Sequence, residues 1–208
     1  MAMNYDHLMS LKMKDMKFSY SDRETILYAL GVGFGRDALD KNELAFTFEG
    51  GKLKTVPTLA VILTRNSLLA NCGWDYSKVL HGEQRLELYR PLPPEGDLIA
   101  DGHVSEAYDK GEGKGALVLS EVNVRLKSDG EPLFKVGSTI FARGDGGFGG
   151  PVGNGPAPHQ VPERAPDASC ILETRVDQAL LYRLSGDRNP LHADPDLAQK
   201  VGFPVPIL

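Results

Sequence analysis

Cysteine is scarce in this chain of 208 residues: Cys72 and Cys170 are the only two, far apart and in no metal-ligand spacing. That argues against a disulfide framework and a thiolate metal centre, and predicts free thiols in a reducing compartment. A surplus of positive charge is also lacking. The 23 Lys and Arg are outnumbered by 28 Asp and Glu, for a net charge of −5, so a polyanionic nucleic acid is not the expected partner. That balance still permits a local basic pocket for a phosphorylated small molecule. The first twenty residues, MAMNYDHLMSLKMKDMKFSY, contain no long hydrophobic run. This predicts neither a signal peptide nor a membrane anchor, and hence a cytoplasmic protein with no membrane partner. The final tripeptide Pro206-Ile207-Leu208 is no peroxisomal address.

What is present reads as an ordinary globular protein, 41% hydrophobic and 25% charged, long enough for one or two domains with a real core. Ser21-Asp22-Arg23-Glu24 has the form of a capping box, and Ile26, Leu27 and Leu30 follow at helical spacing, with Gly31 and Gly33 available to end the helix. ELAFTFE (43–49) alternates like a strand. VPTLAVILTRNSLLANCG (56–73) suits a strand or a buried helix equally. Strand-like runs follow at 85–92, 96–111, 115–130 and 131–144, with SDGEP as a hairpin turn. Residues 1–144 therefore read as a helix followed by an antiparallel sheet, an α+β domain. Residues 145–168 are dense in Gly and Pro and read as a linker; Gly146 to Gly150 suit phosphate binding only in a strand-Gly-helix context, which is missing.

After the linker an early pattern returns. ILYALGVG (26–33) overlays LLYRLSGD (180–187), a short hint of duplication. Asp187, Asn189 and His192 then fall opposite Gly33, Gly35 and Ala38, so only the second copy carries polar groups. Val176 to Leu184 reads as a short helix with Ala179, Leu180 and Leu184 inward; Gly186 and Pro190 break it, and Asp194-Pro195 opens another. An acid, an amide and an imidazole on irregular backbone suit proton transfer at neutral pH and the addition or removal of water. Ser185 lies nearby, but neither Ser nor Cys is placed as an obvious nucleophile. The same residues equally suit a plain turn, with His192 a satisfied, partly buried histidine.

YRLSGDRNPLHADPDLA resembles the signature of the MaoC-like, hydratase-2 family of (R)-specific enoyl-CoA hydratases, through Tyr182, Ser185, Gly186, Asp187, Asn189, Pro190, Leu191, His192 and Ala198. LYALGVG, HGEQRLELYRPLP, DKGEGKG and GGFGG extend the resemblance across most of the chain. It implies a double hot-dog fold and reversible hydration of a trans-2-enoyl-CoA to a (3R)-3-hydroxyacyl-CoA, with no cofactor and no metal. It further implies Asp187 and His192 as the acid/base pair and Asn189 as the residue that orients water. His81 and Gly82 would contact the thioester end or pantetheine arm, and Lys110 a CoA phosphate. Arg188, Pro190 and Leu191 would complete the substrate contacts, and the partners would be an acyl-CoA thioester and a second copy in a homodimer.

Family members continue beyond FPVPIL with a His-Gly-rich segment and a central helix whose first N–H groups polarise the thioester carbonyl. The resemblance therefore implies a fragment: an N-terminal hot dog over 1–144 that is non-catalytic and binds the acyl-CoA, a linker at 145–168, and the start of a catalytic second hot dog over 169–208. With that second unit incomplete, one hydrophobic face and a strand edge are expected to be uncovered. Loss of one oxyanion donor alone costs about 2.7–4 kcal/mol of transition-state stabilisation. The competing expectations are an acyl-CoA thioesterase and a non-catalytic acyl-CoA-binding module.

Overall fold

The computed structural model describes residues 3–64, 68–70, 72–75, 78–158 and 160–207. Leu208 and part of the 56–73 run lie outside the described residues. The chain divides into two units that interleave in sequence. The first comprises Met1–Ser19, Leu63–Pro91 and Asp97–His159; the second comprises Tyr20–Ile62, Leu92–Gly96 and Gln160–Leu208.

The first unit opens with helix α1 (Tyr5–Ser10), N-capped by Asn4, whose side chain accepts from the His7 N–H at 3.1 Å. It is dominated by strands β1 (Lys12–Tyr20), β2 (Val79–Leu88), β3 (Gly96–Asp109), β4 (Ala116–Leu126) and β5 (Pro132–Ala142), in the spatial order β1-β3-β4-β5-β2. The β3–β4, β4–β5 and β5–β2 pairs are antiparallel, so the α+β expectation holds. Alternation explains the long central strands: Leu98, Ala100 and Val104 of β3, and Val118, Val122 and Val124 of β4, are buried. They join Leu8, Trp74, Phe134 and Ala142 in the apolar interior, where each large side chain contributes about 1.5–3 kcal/mol by leaving water.

Two sheet features depart from expectation. β1 does not alternate along its length: Met13 and Tyr20 are buried on opposite parities, with Asp15 at φ +49° between them; lysines on an edge strand also discourage further pairing. β2 begins six residues before the expected start at Arg85, so HGEQ lies inside the strand. The register slips between His81 and Glu83, making Gly82 part of a β-bulge.

In the second unit, helix α2 (Asp22–Gly31) starts as the capping box predicts: the Glu24 carboxylate accepts from the Ser21 N–H at 2.9 Å and the Ser21 hydroxyl at 2.6 Å. These bonds hold the Glu24 carboxyl below the usual range. ELAFTFE is not a strand. Asp40 accepts from the Asn42 N–H at 2.7 Å and caps the short helix α3 (Lys41–Leu44), while Phe46 packs on Phe34 at 4.9 Å between ring centroids. With no strand to pair against, the local cap decides the conformation. A 3₁₀ turn (Pro57–Leu59) leads into α4 (Ala60–Leu63), so the start of the 56–73 run is helical.

The buried hydroxyls of this unit converge on Pro93 and Pro94. Tyr20 and Thr55 donate to the Pro93 carbonyl at 2.6 and 2.9 Å, and Thr25 donates to Pro94 at 2.7 Å. Burial pushes the Tyr20 phenol up to about 12. Helix α5 (Gln178–Tyr182), a 3₁₀ turn (Arg183–Ser185) and helix α6 (Pro195–Lys200) follow. Asp194 caps α6, accepting from the Asp196 and Leu197 N–H groups.

The two copies of the duplicated pattern lie side by side in this unit. Tyr28 faces its counterpart Tyr182 with ring centroids 6.2 Å apart, and a Cβ added at Gly31 would stand 3.1 Å from the Tyr182 Cα. The inward face differs from the expectation: Gln178 and Ala179 are buried, whereas Leu180 and Leu184 are 54% and 44% exposed. The helix lasts little more than one turn before tightening, so its contact face is set by Gln178, Ala179 and Tyr182. Among the described residues no helix is long and apolar enough to cross a membrane.

Candidate functional site

Asp187, Asn189 and His192 lie on the irregular loop between α5 and α6. Gly186 ends the 3₁₀ turn at φ +124°, a conformation that suits glycine, and its carbonyl accepts from the Arg188 N–H at 3.1 Å. The chain then turns through Pro190–His192, a second 3₁₀ turn with proline at its start. Turn chemistry and candidate chemistry coincide here. Asp187 Oδ1 accepts from the Asn189 N–H at 3.2 Å, and Asn189 Oδ1 accepts from the Leu191 N–H at 3.0 Å.

The loop therefore engages one oxygen of Asp187 and the amide oxygen of Asn189. Asp187 Oδ2 lies 3.7 Å from His192 Nε2, with the two side chains only 22% and 16% exposed. On its far side the imidazole presents Nδ1 to the Ile207 carbonyl at 2.6 Å. A carbonyl only accepts, so Nδ1 carries the hydrogen and the neutral ring keeps its lone pair on Nε2, toward Asp187. The Ile207 N–H donates in turn to the Leu191 carbonyl at 3.3 Å, tying the final described residues to the motif loop. The Ile207 contribution is a backbone atom, so no residue type in the sequence signals it.

A gap of 3.7 Å is long for a direct hydrogen bond but lets both atoms reach one water oxygen. A water bridging them would donate one hydrogen to Nε2 and the other to Oδ2, with its lone pairs turned outward. Arg188, Asn189 and Pro190 are exposed beside the pair, and Leu191 is half-buried.

The other anticipated residues belong to the first unit. His81 is exposed on β2, its Nε2 3.1 Å from the Glu83 carbonyl across the bulge. A Cβ at Gly82 would stand 3.2 Å from the Thr139 carbonyl oxygen. Lys110 opens the β3–β4 connection and donates through Nζ to Asn154 Oδ1.

Beside Lys110 is a group not anticipated from the sequence. Asp109, 6% exposed, accepts from the N–H groups of Gly111 (2.8 Å), Gly147 (2.8 Å) and Gly149 (3.0 Å), while its own N–H donates to the Pro151 carbonyl. Only glycine fits at 146, where a Cβ would lie 1.9 Å from the Gly111 oxygen. The Gly-rich run does cradle an anion, and the anion is the chain's own carboxylate.

Burial raises the Asp109 carboxyl, but the amide bonds from Gly147, Gly111, Gly149 and Phe148 outweigh it and hold the group below its ordinary range. Stabilisation from a depressed carboxyl is complete above the unfolded value of about 3.9 and is lost as pH falls through the lower folded value. The amide proton shifts of Gly111, Gly147 and Gly149 are therefore expected to move together, on one NMR titration curve centred below about 3.9. Separate curves, or a midpoint at the ordinary value, would contradict this arrangement.

Comparison with known proteins gives these positions a family context. Residues 18–144 match the MFE-2 hydratase 2 N-terminal domain family, and residues 158–208 match the MaoC like domain family. The chain is 44% identical over 199 residues to 3-hydroxyacyl-thioester dehydratase Y of Mycobacterium tuberculosis, covering 93% of this chain and 67% of that protein. It is 39% identical over 224 residues to a peroxisomal enoyl-CoA hydratase 2 of Arabidopsis thaliana, covering 99% of this chain and 72% of the relative. Among solved structures, a MaoC-like dehydratase from Phytophthora capsici superposes with a TM-score of 0.82 at 32% identity, over 99% of this chain and 72% of that one. The fold is thus the hot-dog-like MaoC fold.

Proposed function

Because this chain belongs to the MaoC-like, MFE-2 hydratase 2 family, we propose that it adds water reversibly to a trans-2-enoyl-CoA thioester to give a (3R)-3-hydroxyacyl-CoA. The observation that carries the reading is the Asp187–His192 pair, 3.7 Å apart with Nδ1 committed to a backbone carbonyl. His192 Nε2 takes a proton from the bound water as its oxygen bonds to C3, while Asp187 Oδ2 holds the other hydrogen. The alkene electron pair moves toward the thioester, and the imidazolium returns its proton to C2 on the same face. One water is consumed, the addition is syn, and both side chains end as they began.

Asn189 orients the water through the amide nitrogen that its local cap leaves unused. His81 and Gly82 meet the thioester end or pantetheine arm, Lys110 meets a CoA phosphate, and Arg188, Pro190 and Leu191 complete the contacts. Within this reading residues 1–144 form a non-catalytic hot dog that binds the acyl-CoA, 145–168 a linker, and 169–208 the start of a catalytic second hot dog. The working form is a cytoplasmic homodimer that needs no added cofactor.

The test is incubation of the chain with crotonyl-CoA, following the loss of enoyl-thioester absorbance and the configuration of the product. Formation of the (3R)-hydroxy thioester is expected. Release of free CoA thiol would identify a thioesterase instead, and tight binding without turnover a non-catalytic acyl-CoA-binding module.

A further inference from the structure

Lys110 is the only residue of its corner assigned a ligand contact, yet a lysine is a flexible point charge that needs support to hold a phosphate at a fixed place. The geometry points to Asp109 as the positioning residue that supplies this support, an inference that rests on the reading of Lys110 as a CoA-phosphate contact. Asp109 is itself buried, 6% exposed. Its carboxylate binds the turn after β3 through the Gly111 N–H and the Gly-rich loop through the Gly147 and Gly149 N–H groups.

The same junction is closed by backbone. The Asp109 N–H donates to the Pro151 carbonyl at 2.8 Å, and Asp109 forms a parallel bridge with Val152. That pairing runs residues 151–154 alongside the end of β3 and delivers Asn154 to Lys110, whose Nζ donates to Asn154 Oδ1. The ring of Tyr108 lies against Gly153, where an added Cβ would stand 2.7 Å from it, so the two segments lie in close contact. The Lys110 N–H donates to the Gly115 carbonyl at 3.0 Å and closes the hairpin on its other side.

Charge explains why an aspartate is needed. A carboxylate accepts three N–H groups at once, whereas an asparagine at the same place turns an NH₂ toward one of them. Without the carboxylate the loop is released, Asn154 moves away, and the Lys110 ammonium loses its fixed position. The consequence falls on recognition of the nucleotide end of the thioester and leaves the acyl and pantetheine end unaffected.

The experiment measures dissociation constants by isothermal titration for the full chain with crotonyl-CoA and with crotonyl-pantetheine, which lacks the nucleotide. Asp109→Asn is expected to weaken crotonyl-CoA about tenfold, as for loss of one charge-assisted phosphate contact, and to leave crotonyl-pantetheine within about twofold. Asn154→Ala, which leaves the Asp109 bonds intact, is expected to weaken crotonyl-CoA by about threefold. A folded Asp109→Asn protein that binds crotonyl-CoA unchanged, or loses both esters alike, overturns the inference. If that variant does not fold, unchanged binding by Asn154→Ala overturns it. A failure of the underlying reading looks different: Lys110→Ala would then bind both esters as the unaltered chain does.

Discussion

Asp187→Asn is expected to lower the rate of crotonyl-CoA hydration by roughly a hundred- to ten-thousand-fold, because it removes the acceptor that holds the water for proton transfer to His192, with little change in KM. The substitution tests chemistry more than folding. The new side chain still offers an oxygen to the Asn189 N–H, which Asp187 Oδ1 binds at 3.2 Å, so the loop is kept. What changes is the atom 3.7 Å from His192 Nε2. An NH₂ group there donates toward the imidazole lone pair, which competes with water for the base and removes the acceptor for its second hydrogen. His192→Ala is expected to lose as much or more, because it removes the base and releases the Ile207 carbonyl, bound at 2.6 Å. Double replacement is expected to cost little beyond the larger single loss, since the two groups act on one water. Turnover within about threefold of the unaltered chain in both folded single variants would remove the pair from the mechanism.

The largest effect on stability is expected at Gln178, 7% exposed between the two copies of the repeated pattern. Its Nε2 donates to the Gly31 carbonyl at 3.2 Å, and its Oε1 accepts from Arg36 at 3.0 Å and from the Arg175 N–H at 3.1 Å. Gln178→Leu keeps much of the volume but strands these three partners. With about 1–3 kcal/mol for a buried group left unsatisfied, and partial rescue of the arginine by water, the loss is about 2–4 kcal/mol. That corresponds to a fall in melting temperature of roughly 5–12 °C for a chain of this size. Gln178→Glu retains the bond to Arg36 but sets an oxygen against the Gly31 carbonyl, so an intermediate loss is expected. A melting temperature within about 2 °C of the unaltered chain for Gln178→Leu would show that the amide bridge is dispensable.

Legibility differed from one segment to the next. The Ser21 to Glu24 cap and the Asp194-Pro195 start were readable because the deciding bonds join residues two or three apart. The strands from 96 to 142 were readable because their alternation is strong and both neighbours are present. ELAFTFE misled because alternation is worth little without a partner strand, and Asp40 capped a helix instead. In β1 no alternation runs through the strand, because the backbone at Asp15, φ +49°, shifts the inward parity between Met13 and Tyr20. Periodicity alone turns Leu180 and Leu184 inward, but over so short a helix the approach of Gly31 to Tyr182 sets the face. Asp109 opens the DKGEGKG segment, yet its role depends on Gly147 and Gly149, 38 and 40 residues away.

The residue types of the candidate site, their order on a broken segment and the family signature they form were all legible in the linear chain. They were legible because turn formation and local capping are short-range, and because glycine and proline restrict the backbone wherever they stand. Folding alone gave each side-chain atom its partner. The Ile207 carbonyl, fifteen residues on from His192, fixes the tautomer of the imidazole, and the Asn189 N–H takes one oxygen of Asp187 and leaves the other facing the ring. A hydrogen bond is set by position and direction in space, and a linear order of residues specifies neither until the chain has folded.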